Sequence, residues 1–148
     1  MKKIGLAIAI SILTLVLTAC PPTQAAPEEI TFTATLNGAA EVPANVSQAT
    51  GAVTAVLKGD KLTITGTYTG LAGAPTGAHI HGPAATGANA GVVVAITTTA
   101  GAAPTAGTIS GSFTLSAAQI ADLKASMYYI NVHTSKYGSG EIRGQLTK

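Results

Sequence analysis

The sequence is poor in cysteine, aromatic residues and charge. Its 148 residues include one cysteine and no tryptophan, with 4% aromatic and 9% charged residues. A single cysteine excludes an intramolecular disulfide. The scarcity of aromatic residues predicts a core of Val, Ile, Leu and Ala that buries a modest area per residue. The length suits one domain rather than two.

The formal net charge of +2 depends on Lys2 and Lys3. Both lie in a segment that we expect to be removed, and without them six basic residues face six acidic ones. The near-neutral remainder has no basic cluster. Its charge therefore argues against nucleic-acid binding and against electrostatic docking on anionic lipid.

The N-terminus has the features of an export signal. After Lys2 and Lys3, an apolar run of 14 residues extends from Ile4 to Leu17, shorter than the roughly 20 residues of a membrane-spanning helix. It ends in Leu17-Thr18-Ala19-Cys20, which resembles the lipobox of bacterial lipoproteins. The resemblance implies cleavage before Cys20 and a diacylglycerol on its sulfur, which anchors the chain in a membrane. The alternative is an ordinary secretory signal cut elsewhere, with Cys20 incidental.

Three segments follow from this interpretation. Residues 1–19 form the signal, residues 20–29 the lipidated cysteine with a proline-rich tether, and residues 30–148 the folded domain. The Pro, Thr, Gln and Ala of the tether favour extended chain over a packed core. We therefore expect an extracytoplasmic domain, lipid-anchored to the cell-envelope membrane, which is the outer membrane in a cell that has one.

The domain itself is patterned as short strands. Ile30 to Leu36 alternates apolar residues with threonines, the period of a half-buried strand. Strand-like segments recur at 52–57, 61–68, 92–98, 108–115, 127–134 and 140–146. Ser116 and Gln119 have the spacing of a capping box, which predicts one short helix. Seven or eight strands with glycine-rich turns predict an all-β fold, an antiparallel β-sandwich.

The three histidines are the residues most able to carry chemistry. His79 and His81 are two positions apart, so a strand places both rings on one face. Polar residues alternate in the same way along the two last strands. If these strands are neighbours, six side chains form one polar patch: His79, His81, Asn131, His133, Glu141 and Arg143.

Three interpretations of this patch remain open. In the first, His79, His81 and His133 bind one copper or zinc ion, with Glu141 or water as a fourth ligand, because imidazole nitrogen suits both metals. Three histidines are too few for a dinuclear centre like that of Cu/Zn superoxide dismutase, whose His-x-His strand the sequence resembles. In the second, the patch is a structural network. The third is catalysis, for which no nucleophile motif such as Gly-x-Ser-x-Gly is present in the sequence.

The structural network would join adjacent strands through Glu141. Its carboxylate could accept a hydrogen bond from His133 and pair with Arg143, or orient a histidine tautomer behind a metal. Asn131 is then a strand-bonding amide rather than a ligand. The tyrosines carry no motif and are interpreted as packing residues.

Several ordered motifs resemble those of the CHRD domain, a module named from chordin that occurs in secreted bacterial proteins. They are Leu36-Asn37-Gly38, Glu41-Val42-Pro43, residues 47–51, residues 78–84, residues 129–134 and residues 140–146. The resemblance covers about Ile30 to Leu146. It implies an extracellular or surface-exposed β-sandwich of Greek-key, immunoglobulin-like character, and it implies no settled activity.

Two functional hypotheses follow. The first is a surface-tethered, non-catalytic module that binds an extracytoplasmic protein, glycan or metal. The second is a mononuclear copper or zinc protein, a carrier or a redox protein, that uses His79, His81 and His133. The sequence indicates no enzyme class.

Overall fold

The computed structural model describes residues 28–148. The expected signal segment, Cys20 and most of the tether lie outside the described residues. Within residues 28–148, no helix is both long enough and apolar enough to cross a membrane.

The described chain contains eight strands, one α-helix and one short 3-10 helix. The strands are β1 (Glu29–Asn37), β2 (Thr50–Lys58), β3 (Lys61–Thr69), β4 (Pro75–His81), β5 (Val92–Ala100), β6 (Gly107–Thr114), β7 (Tyr129–Thr134) and β8 (Ile142–Gln145). The helices are the 3-10 helix Gly38–Ala40 and α1 (Ala117–Lys124). The expected all-β class, strand number and single short helix are confirmed.

The expected sandwich is wrong, because the strands close into a barrel. All pairs are antiparallel, in the order β1-β2-β3-β6-β5-β4-β7-β8. The ring closes where Asn37 of β1 pairs with Arg143 of β8, beside a bridge between Thr33 and Thr147. A sandwich has free edges, whereas here each strand is paired on both sides. Period-two alternation is the same in both architectures, so it could not distinguish them.

Side chains fill the barrel interior. The alternating strands β1, β2 and β3 direct their apolar residues inward, including Phe32, Leu57 and Ile64. Helix α1 joins β6 to β7 and buries Leu123 completely. Its predicted capping box is confirmed. The backbone amide of Gln119 donates to Ser116 Oγ, and the backbone amide of Ser116 donates to Gln119 Oε1.

In the part of the barrel that carries the histidines, the inner face is buried and the outer face is partly covered. Strand β7 lies between β4 and β8, and nearly all of its residues are buried. The inner face contributes Ile130 and Val132 to the core. Residues 82–91, here called the covering segment, connect β4 to β5 and are hydrogen-bonded to side chains of β7 and β8. The segment therefore shields part of the outer face from solvent.

Candidate functional site

The three histidines converge on the outer face of β4 and β7. One ring nitrogen from each of His79, His81 and His133 lies within 4.8 Å of one from each of the others, and all three residues are half-buried. The ring centroids are 5.0–5.8 Å apart. Three ligands about 2.0–2.1 Å from one tetrahedral ion stand roughly 3.3 Å apart.

Strand geometry explains the convergence. In β4, Ala78 and Ile80 are buried in the core, so the alternating His79 and His81 point outward. Antiparallel pairing sets His79 opposite Asn131, and β7 alternation then places His133 next on the same face. Gly77 lies opposite His133, and a Cβ added there would come within 3.2 Å of His79 Cε1. Glycine thus leaves room for the His79 ring.

Backbone carbonyls orient two of the rings. His81 Nδ1 is 3.0 Å from the Ala90 carbonyl oxygen, and His133 Nδ1 is 3.1 Å from that of Gly138. A carbonyl accepts only, so each Nδ1 carries the proton and each Nε2 keeps a free lone pair. This arrangement, one nitrogen bound to an outer acceptor and the other free, is typical of metal-binding histidines.

In the part of the chain that the structure describes, one nitrogen of each ring has no hydrogen-bond partner. His79 Nδ1, His81 Nε2 and His133 Nε2 are buried, and none of them hydrogen-bonds within residues 28–148. Burial lowers the pKa of His81 and of His133 below the ordinary value, and neighbouring histidines lower it further. Both imidazoles are therefore neutral at pH 7, the form that binds a metal.

Glu141 does not join the histidines. Its carboxylate, fully buried, accepts hydrogen bonds from Ser47 Oγ at 2.7 Å, from the Ala72 amide at 2.8 Å and from Thr134 Oγ1 at 2.6 Å. Thr134 is adjacent to His133 and faces the opposite side of β7. The expected bonds from Glu141 to His133 and Arg143 are replaced by these three. Glu141 instead ties the ends of distant loops together.

Asn131 and Arg143 lie on the histidine face with other partners. The side-chain amide of Asn131 is buried and donates a long hydrogen bond, 3.4 Å, to Glu41 Oε2. Burial raises the pKa of Glu41 to about 7, against the opposing effect of the Arg143 charge. Arg143 is buried against Tyr129 and the covering segment. The predicted six-residue patch is therefore a three-histidine cluster flanked by Asn131 and Arg143, without Glu141.

Sequence reasoning missed two contributors to this site. Tyr129, interpreted as packing, stacks on His81 with ring centroids 5.0 Å apart and planes 7° apart. The same period-two spacing that linked Asn131 to His133 could have included it. Ala90 contributes only a backbone carbonyl, for which the sequence has no signal.

Comparison with known proteins identifies one family. The family model of the CHRD domain matches residues 32–146 of the sequence, which include nearly all of the barrel. The comparison with curated proteins gave no match, and neither did the comparison with solved structures. Family membership favours a non-catalytic extracellular module. Since the match spans most of the sequence, the chain belongs to the CHRD domain family.

Proposed function

We propose that this chain is an extracytoplasmic metal-binding module in which His79, His81 and His133 bind one copper or zinc ion. The observation that carries the proposal is the convergence of the three histidines, one ring nitrogen of each lying within 4.8 Å of one from each of the others. Each ring also has a buried nitrogen that hydrogen-bonds to nothing within residues 28–148. A buried polar atom left unpaired costs about 1–3 kcal/mol. Three such atoms at one place are accounted for when their lone pairs share one cation.

The purely structural alternative accounts for less. A polar network stabilises a fold when its buried polar groups are hydrogen-bonded to one another. Here two of the three rings each use one nitrogen for a hydrogen bond to a backbone carbonyl. A buried nitrogen on each of the three rings is left without a hydrogen-bond partner among the described residues. Among the described residues, no carboxylate joins the three histidines in a metal-ligand group. The donor set is three imidazoles, which suits copper and zinc better than magnesium or calcium.

The test is a metal titration of the full-length chain, purified from membranes in detergent without a histidine tag. Copper(II) or zinc is offered to the metal-stripped protein, excess ion is removed, and the bound metal is measured by elemental analysis. We expect about one ion per chain, as a single tetrahedral site requires. Failure to retain stoichiometric copper or zinc at neutral pH contradicts the proposal.

We further propose that a lipid on Cys20 holds this module at the cell-envelope membrane. The lipobox-like Leu17-Thr18-Ala19-Cys20 and the apolar run before it support this assignment. Metabolic labelling with palmitate is expected to mark the wild-type chain and not Cys20→Ser. An unlabelled wild-type chain, or one that retains Met1 by intact mass, contradicts the anchor and leaves the metal proposal standing.

A further inference from the structure

Tyr129 lies between a histidine and an arginine. Its ring stacks on His81, with centroids 5.0 Å apart and planes 7° apart, and the Arg143 guanidinium carbon lies 3.4 Å from its centre. Strand β7 runs between β4 and β8, so the two contacts come from opposite sides. The Tyr129 ring therefore cannot move away from His81 without displacing Arg143.

The Tyr129 hydroxyl also holds the acceptor that His81 uses. The Ala90 amide donates to the hydroxyl at 3.1 Å, and the hydroxyl donates to the Ala90 carbonyl at 3.3 Å. His81 Nδ1 donates to that same carbonyl at 3.0 Å. Tyr129 thus contacts His81 twice, directly through its ring and indirectly through Ala90.

Arg143 supports this arrangement from behind. It is 2% exposed, and its guanidinium donates to Asn89 Oδ1 at 3.0 Å and to the Ala88 carbonyl at 2.6 Å. Within residues 28–148 the one ion pair joins Lys58 and Glu29, so no carboxylate neutralises Arg143 directly. Its buried charge is held by the covering segment and by the face of the Tyr129 ring, a cation–π contact.

We propose that Tyr129 is a positioning residue of the metal centre, and that Arg143 acts on the centre through Tyr129. Together they keep His81 in its Nδ1–H tautomer, with Nε2 directed toward the other two histidines. This inference rests on the proposed function, because it concerns the same site. Outer contacts of this kind typically contribute 10–100-fold to metal affinity.

The first measurement needs no metal. In protein labelled with 15N-histidine, NMR shifts distinguish the two neutral tautomers. We expect His81 as Nδ1–H in the wild type and as a mixture in Tyr129→Phe, which keeps the ring and loses the hydroxyl. His133, whose acceptor is Gly138, is the internal control and keeps its tautomer. Tyr128→Phe is the matched control variant, because Tyr128 is buried in the core.

The second measurement is the affinity for copper(II) and for zinc, by competition with a chelator. Tyr129→Phe is expected to weaken binding about tenfold, and Tyr129→Leu, which also loses the stack, by more. Arg143→Lys loses the planar contact with the Tyr129 ring, and we expect it to weaken metal binding about as much as Tyr129→Phe does. Thermal unfolding of each metal-free variant establishes that it is folded. If Tyr129→Leu does not fold, the result for Tyr129→Phe still decides the question.

The outcomes separate the two proposals. A wild type that binds metal, with the His81 tautomer and affinities of the Tyr129 variants unchanged, overturns the positioning role alone. A wild type that binds neither metal overturns both. An altered His81 tautomer together with weakened binding supports the inference.

Discussion

Replacing His133 by alanine is expected to abolish stoichiometric binding of copper and zinc, and the same holds for His79 and His81. The protein supplies three nitrogens within 4.8 Å of one another, and removing one leaves at most two. The loss should exceed the roughly 100-fold effect of removing an outer contact. Competition with a chromogenic chelator measures it.

Thermal unfolding gives an independent measure of the same loss. A metal at 100 times its dissociation constant stabilises the wild type by about 2.7 kcal/mol, and the alanine variants should lose that increment. Thr108→Ala, an exposed substitution on β6, is the control that keeps it. A histidine variant that retains wild-type affinity for both metals would remove that histidine from the site.

Glu141→Ala is expected to destabilise the fold by about 3–5 kcal/mol, because a buried acceptor of several hydrogen bonds is lost. The substitution leaves the Ser47 hydroxyl, the Ala72 amide and the Thr134 hydroxyl without their acceptor. Urea unfolding measures the effect. Glu141→Gln keeps part of the acceptor capacity and should fall between the wild type and Glu141→Ala.

The matched control is Glu29→Ala. Glu29 lies 3.9 Å from Lys58, and both side chains are 58% exposed, so its loss should change stability by no more than about 0.5 kcal/mol. Equal effects of the two alanine substitutions would refute the structural role assigned to Glu141. Folded Glu141→Gln should bind metal as the wild type does, since Glu141 does not contact the histidines.

The histidines and Glu141 thus have separate roles, although their spacing in the sequence had placed them in one polar patch. Glu141 and Arg143 have the same i, i+2 spacing as His79 and His81, which suggested one shared patch. Residue Glu141 precedes β8, where strand alternation no longer applies. Its side chain consequently follows the loop geometry and reaches Thr134 on the other side of β7.

Local patterns predicted what depends on neighbours in the chain. Alternation located β1, β2 and β3 close to their observed bounds, and the Ser116 capping box located the start of α1. The shared face of His79 and His81 also followed from their spacing. These features are local because side-chain direction and helix capping depend on residues two to four positions apart.

Long-range pairing was beyond such patterns. The juxtaposition of His79 with Asn131, and so with His133, depends on the register of β4 with β7. The Ala90 carbonyl that orients His81 depends on the path of the covering segment. Alanine side chains and backbone carbonyls give no sequence pattern from which the path of the covering segment could be predicted.

The sequence by itself determined most of the strands and their inward and outward faces, the helix start and the placement of His79 and His81 on one face. Only the tertiary structure decided that the sheet closes into a barrel, that His133 completes the cluster, and that Glu141 lies elsewhere. The physical reason is that side-chain alternation repeats along each strand, whereas closure, register and loop path depend on hydrogen bonds between residues far apart in the chain.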